Sequence, residues 1–151
     1  MGGKSDPRMV ALPFSDEGEA SNETVESRLA DVLAEALLRL GVKVAYGVVG
    51  GAIAPLADAL QRQRALTLLH FRHETGAAFA AMESSLATQR PAVVFATTGP
   101  GLTNALTGLI AARWEGAKVL LLSGTTPQAH HGRGAVQETH AGTLGASVHV
   151  A

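Results

Sequence analysis

The 151-residue chain is 46% hydrophobic and 17% charged, which suffices for one sizeable core and is too short for two ordinary domains. Its formal net charge of −1 gives no electrostatic reason to bind nucleic acid or an anionic membrane. The lack of cysteine excludes disulfides and thiolate chemistry, and no segment has the apolar run of a signal peptide or membrane span, so we expect a cytoplasmic protein.

The N-terminal residues 1–23 mix glycine, serine, proline and acidic side chains without a hydrophobic period. This composition predicts a disordered arm and assigns the folded domain to residues 24–151. From Ser21 and Asn22, either of which can cap a helix, apolar residues recur at three- and four-residue spacing until Gly41. The pattern predicts an amphipathic helix with one buried face.

Beyond this helix, apolar runs alternate with helical stretches. The predicted strands are 42–49, 66–71, 92–98 and 118–123, and the predicted helices between them are 54–62, 75–88 and 103–115. The runs are continuously apolar, as expected for parallel strands that helices cover on both faces. The sequence therefore predicts an α/β fold with a doubly wound, mostly parallel sheet, whose ligands bind beyond the carboxyl ends of the strands.

Unusual residues follow the predicted strands. The junctions contain the pair Gly50 and Gly51, the segment His-Glu-Thr-Gly at 73–76, the segment Thr-Gly-Pro-Gly at 98–101 followed by Asn104, and a polar loop that ends in Gln137 and Glu138. Glycine at such turns lets a ligand approach the main chain closely. Each motif alone is weak evidence because glycines at strand-to-helix turns are ordinary.

Three common motif interpretations fail. A P-loop needs Lys and Ser or Thr after its last glycine, but Leu102 follows Gly101, and a dinucleotide fingerprint needs a third glycine where Asn104 stands. Ala77 occupies the position where a zinc protease would have a second histidine. The later histidines fit a solvated polar loop better than a metal site, so no metal ligand is predicted; they are His130, His131, His140 and His149.

Four segments in order, GVKVAYGVVGG, HFRHETGAAFAAMESSLAT, PAVVFATTGPGLTNALTGLIAA and KVLLLSGTTP, closely resemble the N-terminal pyrimidine-binding (PYR) domain of thiamine-diphosphate enzymes, and within them the acetolactate synthase group. The resemblance extends from Ala30 to Glu138. It implies thiamine diphosphate as cofactor and membership of a lyase or transferase that decarboxylates or joins 2-oxo acids. It also implies a homo- or hetero-dimer or tetramer.

The resemblance also implies roles for individual residues. Glu74 matches the glutamate that hydrogen-bonds the ring nitrogen of the cofactor's aminopyrimidine, where a shared proton favours the imino form that acts as base. We therefore expect Glu74 to be catalytic. The expected cofactor-binding residues are Gly50, Gly51, Glu74, Pro100, Asn104 and Gln137. Val48 and Val136 depart from the aromatic residues common in the family, which affects substrate identity more than cofactor binding.

The second half of such a site is not recognisable in this sequence. The family's Gly-Asp-Gly motif, which holds the diphosphate and Mg²⁺ in a separate domain, does not occur, and no aspartate follows Asp58. The family's closing helix and its strand similar to Gly-Pro-Val-Leu-Val are also not found, so we expect the C-terminal part of the domain to be missing. We therefore expect the Mg²⁺ and the diphosphate to be held by a partner domain or subunit.

Three explanations are open at this point: a truncated product, one subunit of a split enzyme, or an inactive relic that keeps the fold. Retention of Glu74 favours the first two, because a purely structural domain does not need that carboxylate. The alternative of another class is a catalytically silent interaction module that dimerises through the helices after Gly51 and Gly76.

Overall fold

The computed structural model describes residues 19–140 and 143–144, with side chains from Leu29 onward. In chain order the elements are α1 (Glu19–Arg39), β1 (Val44–Gly47), a short 3₁₀ helix (Gly51–Ile53), α2 (Ala54–Arg62), β2 (Thr67–His70), α3 (Glu74–Thr88), β3 (Ala92–Ala96), α4 (Pro100–Trp114), β4 (Val119–Ser123) and a second 3₁₀ helix (Gln128–His130). No helix in this described part is long and apolar enough to cross a membrane.

The order of strands and helices agrees with the sequence prediction, and the differences lie at their ends. Helix α1 begins at Glu19, before both predicted caps. Helix α4 begins at Pro100 rather than Thr103, because the fixed φ and missing N–H of proline suit the first turn of a helix. Most of the predicted N-terminal arm, residues 1–18, lies outside the described residues, so the arm stays a prediction.

The four strands form one parallel sheet in the order β2-β1-β3-β4. The chain moves from β1 outward to β2, returns past β1 to β3, and continues to β4. The strand order therefore reverses between β1 and β3, and the carboxyl ends of these two strands border the crevice where doubly wound sheets bind ligands. The predicted doubly wound parallel fold is confirmed.

Helices cover both faces of the sheet. Helices α1 and α2 pack on one face, in a core that includes Leu37, Leu60, Val93 and Phe95. Helices α3 and α4 pack on the other face, in a core of smaller side chains that includes Tyr46, Ala77, Ala78, Val94 and Ala105. Strand β3 contributes to both cores and is buried along its whole length, which explains its continuous apolar sequence.

Helices α3 and α4 are held very close together. A Cβ atom added to Gly108 of α4 would stand 2.6 Å from the Cβ of Ala78 and 2.9 Å from the backbone nitrogen of Phe79, both on α3. No residue larger than glycine fits at this position unless one of the two helices moves. This close approach brings the N-terminal ends of the two helices, which carry most of the candidate site, beside each other.

Candidate functional site

The candidate site lies at the carboxyl edge of the sheet, around the turn that follows β3. Gly50, which follows β1, packs against this turn: a Cβ atom at Gly50 would stand 2.7 Å from the Cβ of Thr97. Gly50 and Thr97 follow the two strands between which the strand order reverses. The contact therefore places the first glycine of the pair at the crevice.

Glu74 is the first residue of α3. The preceding His73 caps the helix, because its ring nitrogen Nδ1 accepts a hydrogen bond from the backbone N–H of Thr75 at 3.3 Å. The Glu74 residue is only 7% exposed. A carboxyl at a helix N-terminus is favoured by the helix dipole, but a buried carboxyl also needs a specific partner.

That partner is Asn104 on α4. Its side-chain nitrogen Nδ2 donates a hydrogen bond of 3.1 Å to Oε2 of Glu74. In return, the Thr75 hydroxyl donates a hydrogen bond of 2.6 Å to the backbone oxygen of Asn104. One hydrogen bond is thus donated from α4 to α3, and another from α3 to α4.

The second carboxylate oxygen of Glu74 faces the backbone of α4. A Cβ atom at Gly101 would stand 3.2 Å from Oε1 of Glu74 and 3.1 Å from the Thr97 methyl group, so a larger side chain would crowd this oxygen. Among the described residues, none donates a hydrogen bond to Oε1. Every fully enclosed side-chain polar atom in this part of the chain has a hydrogen-bond partner. Oε1 is therefore not fully enclosed. The neighbouring Pro100 is exposed at the start of α4.

Gln137 reaches the same turn from the loop after β4. Its side-chain oxygen Oε1 accepts a hydrogen bond of 2.9 Å from the hydroxyl of Thr98. Its Cβ lies 2.7 Å from the point where a Cβ of Gly99 would stand, and Gly99 has a φ of +61° that disfavours other residues. Gln137 itself has a φ of +62°, unusual for a residue with a side chain. The turn and the loop therefore fit each other closely.

The predicted site residues thus fall into two groups. The first group contacts the segment from Thr97 to Asn104 or belongs to it, and consists of Gly50, Glu74, Pro100, Asn104 and Gln137. Gly51 is exposed in the 3₁₀ helix, and nothing lies within 4 Å of its added Cβ. Val136, which departs from the family pattern, is 88% exposed beside Gln137.

Three hydroxyl residues of the site were not singled out from the sequence: Thr75, Thr97 and Thr98. They lie inside the recognised motifs, but nothing in their spacing shows which hydroxyl turns toward Asn104 or Gln137. The sequence also indicated no role for His73, which caps the N-terminus of α3 in the structure.

The later histidines lie apart from these contacts. The ring nitrogen Nε2 of His131 is 2.7 Å from the backbone oxygen of Thr126, and the backbone N–H of Gly132 donates to Glu138. His149 lies outside the described residues. Across residues 19–140 and 143–144, no three His, Cys, Asp or Glu residues are close enough to hold a metal ion together.

Residues 27–144 match the family model described as the thiamine pyrophosphate enzyme, N-terminal TPP binding domain. The chain belongs to this family. Thiamine pyrophosphate is another name for thiamine diphosphate, so the cofactor of the family is the one that the sequence motifs indicated. The buried Glu74 carboxyl, with one oxygen bonded to Asn104 and the other bordered by Gly101, suits a nitrogen heterocycle as ligand.

Several relatives of this TPP-binding domain are acetolactate synthases. The chain is 40% identical over 110 residues to acetolactate synthase 1, chloroplastic, of Oryza sativa subsp. japonica, covering 73% of this chain and 17% of the relative. It is 33% identical over 133 residues to the acetolactate synthase isozyme 1 large subunit of Escherichia coli (strain K12), covering 85% of this chain and 23% of the relative.

An uncharacterized 42.6 kDa protein in the isoamylase 3′ region of Pseudomonas amyloderamosa is 38% identical over 118 residues, covering 78% of this chain. The match covers 30% of that relative. This TPP-binding domain therefore spans less than a third of the length of the relatives it matches.

Proposed function

We propose that the chain is the pyrimidine-binding domain or subunit of a thiamine-diphosphate-dependent 2-oxo acid decarboxylase or carboligase, similar to acetolactate synthase, and that it acts only with a diphosphate-binding domain. The observation that carries the proposal is the buried Glu74 carboxyl at the crevice between β1 and β3, with Oε2 bonded to Asn104 and Oε1 taking no hydrogen bond among the described residues.

Bound thiamine diphosphate would supply the reactive thiazolium carbon that attacks the carbonyl of a 2-oxo acid and accepts its electrons on decarboxylation. Glu74 would share a proton between its Oε1 atom and the ring nitrogen of the pyrimidine, acting as a general acid and base toward the cofactor. The turn at Pro100, with Gly50 and Gly51, would border the ring. Gln137 would offer its amide nitrogen as a hydrogen-bond donor, because its amide oxygen is bonded to Thr98.

The partner would hold the other end of the cofactor. No Gly-Asp-Gly segment occurs in the sequence, and no cluster of metal-ligating residues occurs in the described part of the chain. From the resemblance to the family, we expect a diphosphate-binding domain, with Mg²⁺, to complete the cofactor site across an interface. We expect this interface to lie next to the open side of Glu74.

The first test replaces Glu74 in the assembled enzyme. Glu74→Gln keeps the size of the side chain and removes its proton, so exchange of the proton on the thiazolium carbon with solvent should slow by about a hundredfold or more. The exchange is followed by quenched-flow NMR. Glu83→Gln, an exposed position on the same helix, is the matched control and should leave the rate unchanged. An unchanged rate in Glu74→Gln removes Glu74 from the mechanism.

A different observation favours a second candidate function. The paired helices α3 and α4 expose Phe79 at 38%, Ile110 at 42% and Trp114 at 83%. Exposed apolar residues on adjoining helices are typical of a surface that another protein covers. From the sequence, a catalytically silent module is expected to dimerise through the helices after Gly51 and Gly76, which are α2 and α3. Of these, α3 carries the exposed Phe79, so a module that dimerises through α3 would present part of this surface without using Glu74.

Calorimetry distinguishes the two candidates. The chain is titrated with thiamine diphosphate and Mg²⁺, alone and with the diphosphate-binding domain of a relative. The proposed enzyme domain should bind the cofactor tightly only in the mixture, whereas a silent module should bind it in neither. Tight binding by the chain alone would contradict the expected division of the cofactor site. Trp114 is the only tryptophan, so its fluorescence reports separately whether the helical surface becomes covered.

A further inference from the structure

We infer that Asn104 is a positioning residue, which holds the Glu74 carboxyl in one orientation and leaves its Oε1 atom as the oxygen that exchanges a proton with the cofactor. This inference rests on the proposed function. It assigns the Asn104 amide to Glu74 rather than to direct contact with the ligand.

The contact between Asn104 and Glu74 has a defined donor and acceptor. The Glu74 carboxylate can only accept hydrogen bonds, so the Asn104 group that faces it at 3.1 Å is the N–H donor. In a neutral carboxyl group the protonated oxygen is a weaker hydrogen-bond acceptor than the other oxygen, so the bond from Asn104 is stronger when Oε2 carries no proton. The bond to Oε2 therefore directs the proton of the neutral form to Oε1.

Asn104 is itself held in place. Its backbone oxygen accepts the Thr75 hydroxyl at 2.6 Å, and Thr75 directly follows Glu74. The absence of a side chain at Gly108 lets α4 pack directly against Ala78 of α3, which keeps Asn104 within hydrogen-bond distance of Thr75 and Glu74. The Asn104 side-chain amide is therefore held in position against Glu74, as a preorganised site requires.

The remaining carboxylate oxygen of Glu74 is Oε1. Oε1 is bordered by Gly101, where an added Cβ would stand 3.2 Å away, and takes no hydrogen bond among the described residues. A carboxyl free to rotate would present either oxygen to a ligand. With Asn104 in place, only Oε1 is presented.

The contact can be tested on the chain without cofactor. In nitrogen-edited NMR spectra, the Asn104 side-chain amide proton bonded to the carboxylate should lie downfield, and Glu74→Gln should move it upfield because a neutral acceptor is weaker. Thr107→Val, an exposed position one turn further along α4, is the control and should leave the signal in place. An Asn104 signal that does not respond to Glu74→Gln overturns the inference.

The role is tested in the assembled enzyme by a double-mutant cycle on the exchange rate of the thiazolium carbon proton. Asn104→Ala should slow exchange by about tenfold in the native background. It should have no further effect in the Glu74→Gln background, because it acts through the Glu74 proton. Equal slowing in both backgrounds would show a merely structural role and would refute the inference.

An exchanged pair provides the last control. Combining Glu74→Gln with Asn104→Asp reverses donor and acceptor, so the thermal stability lost in Asn104→Asp alone should return, while the exchange rate stays low because no proton is available. Recovery of exchange in this pair would contradict the assignment of the proton to Glu74. If Glu74→Gln alone leaves exchange unchanged, the proposed function fails, and the NMR experiment still decides the Asn104 contact.

Discussion

The two helical layers of this domain are built differently. On one face of the sheet, α1 and α2 pack through large side chains such as Leu37, Leu56 and Leu60. On the other face, α3 and α4 pack through alanine and glycine, and the backbones approach so closely that Gly108 has no room for a Cβ. Only the second layer carries the Glu74 carboxyl.

The difference shows what each layer contributes. Large aliphatic side chains bury the most apolar surface and can repack around a small change. Small side chains bury less, but they hold two backbones at a fixed distance, which lets α3 and α4 share the hydrogen bonds between Thr75, Asn104 and Glu74. The first layer should therefore govern stability, and the second should govern the geometry of the site.

The largest expected effect on stability is in the leucine layer. Leu60 is fully buried, so Leu60→Ala should lower the free energy of unfolding by about 2–5 kcal/mol through lost burial and the cavity left behind. Urea denaturation of the chain measures this loss. The NMR signal of the Asn104 amide should not move. A folded Leu60→Ala protein with a displaced signal would show that the layers are coupled.

A smaller loss of stability with a larger effect on the site is expected for Gly108→Ala. The new methyl group would stand 2.6 Å from the Cβ of Ala78, so the helices must separate, at about 1–3 kcal/mol. The Asn104 amide signal should move upfield as its bond to Glu74 lengthens. Gly76→Ala is the matched control, because its Cβ would meet only Phe71 at 3.6 Å. Equal effects of both substitutions would refute the close-packing argument.

The smallest effect is expected for the two ion pairs of Arg62, one of which joins α2 to α1. Arg62 contacts Asp31 at 2.6 Å and also Asp58, but all three side chains are about half exposed or more. Arg62→Gln should therefore cost at most about 1 kcal/mol. Repeating the urea denaturation at high salt should remove most of the difference. A larger, salt-independent loss would mean that the Arg62 side chain stabilises this layer by packing.

The sequence predicted much of the fold because its signals are local. The buried run of β3 and the glycine-rich turns required only the residues concerned. The exact ends of helices were less accessible: α1 extends to Glu19 because caps such as Ser21 are also tolerated inside a helix. The motifs also indicated Glu74 as the candidate catalytic carboxylate.

What the sequence determined by itself is the alternation of strands and helices, the family, and the set of residues at the carboxyl edge. Only the tertiary structure decided how those residues meet. The bond from Asn104 to Glu74 joins residues 30 positions apart, and that from Thr98 to Gln137 joins residues 39 apart. Such contacts depend on helix spacing and loop docking, which arise from the packed core and leave no local pattern in the chain.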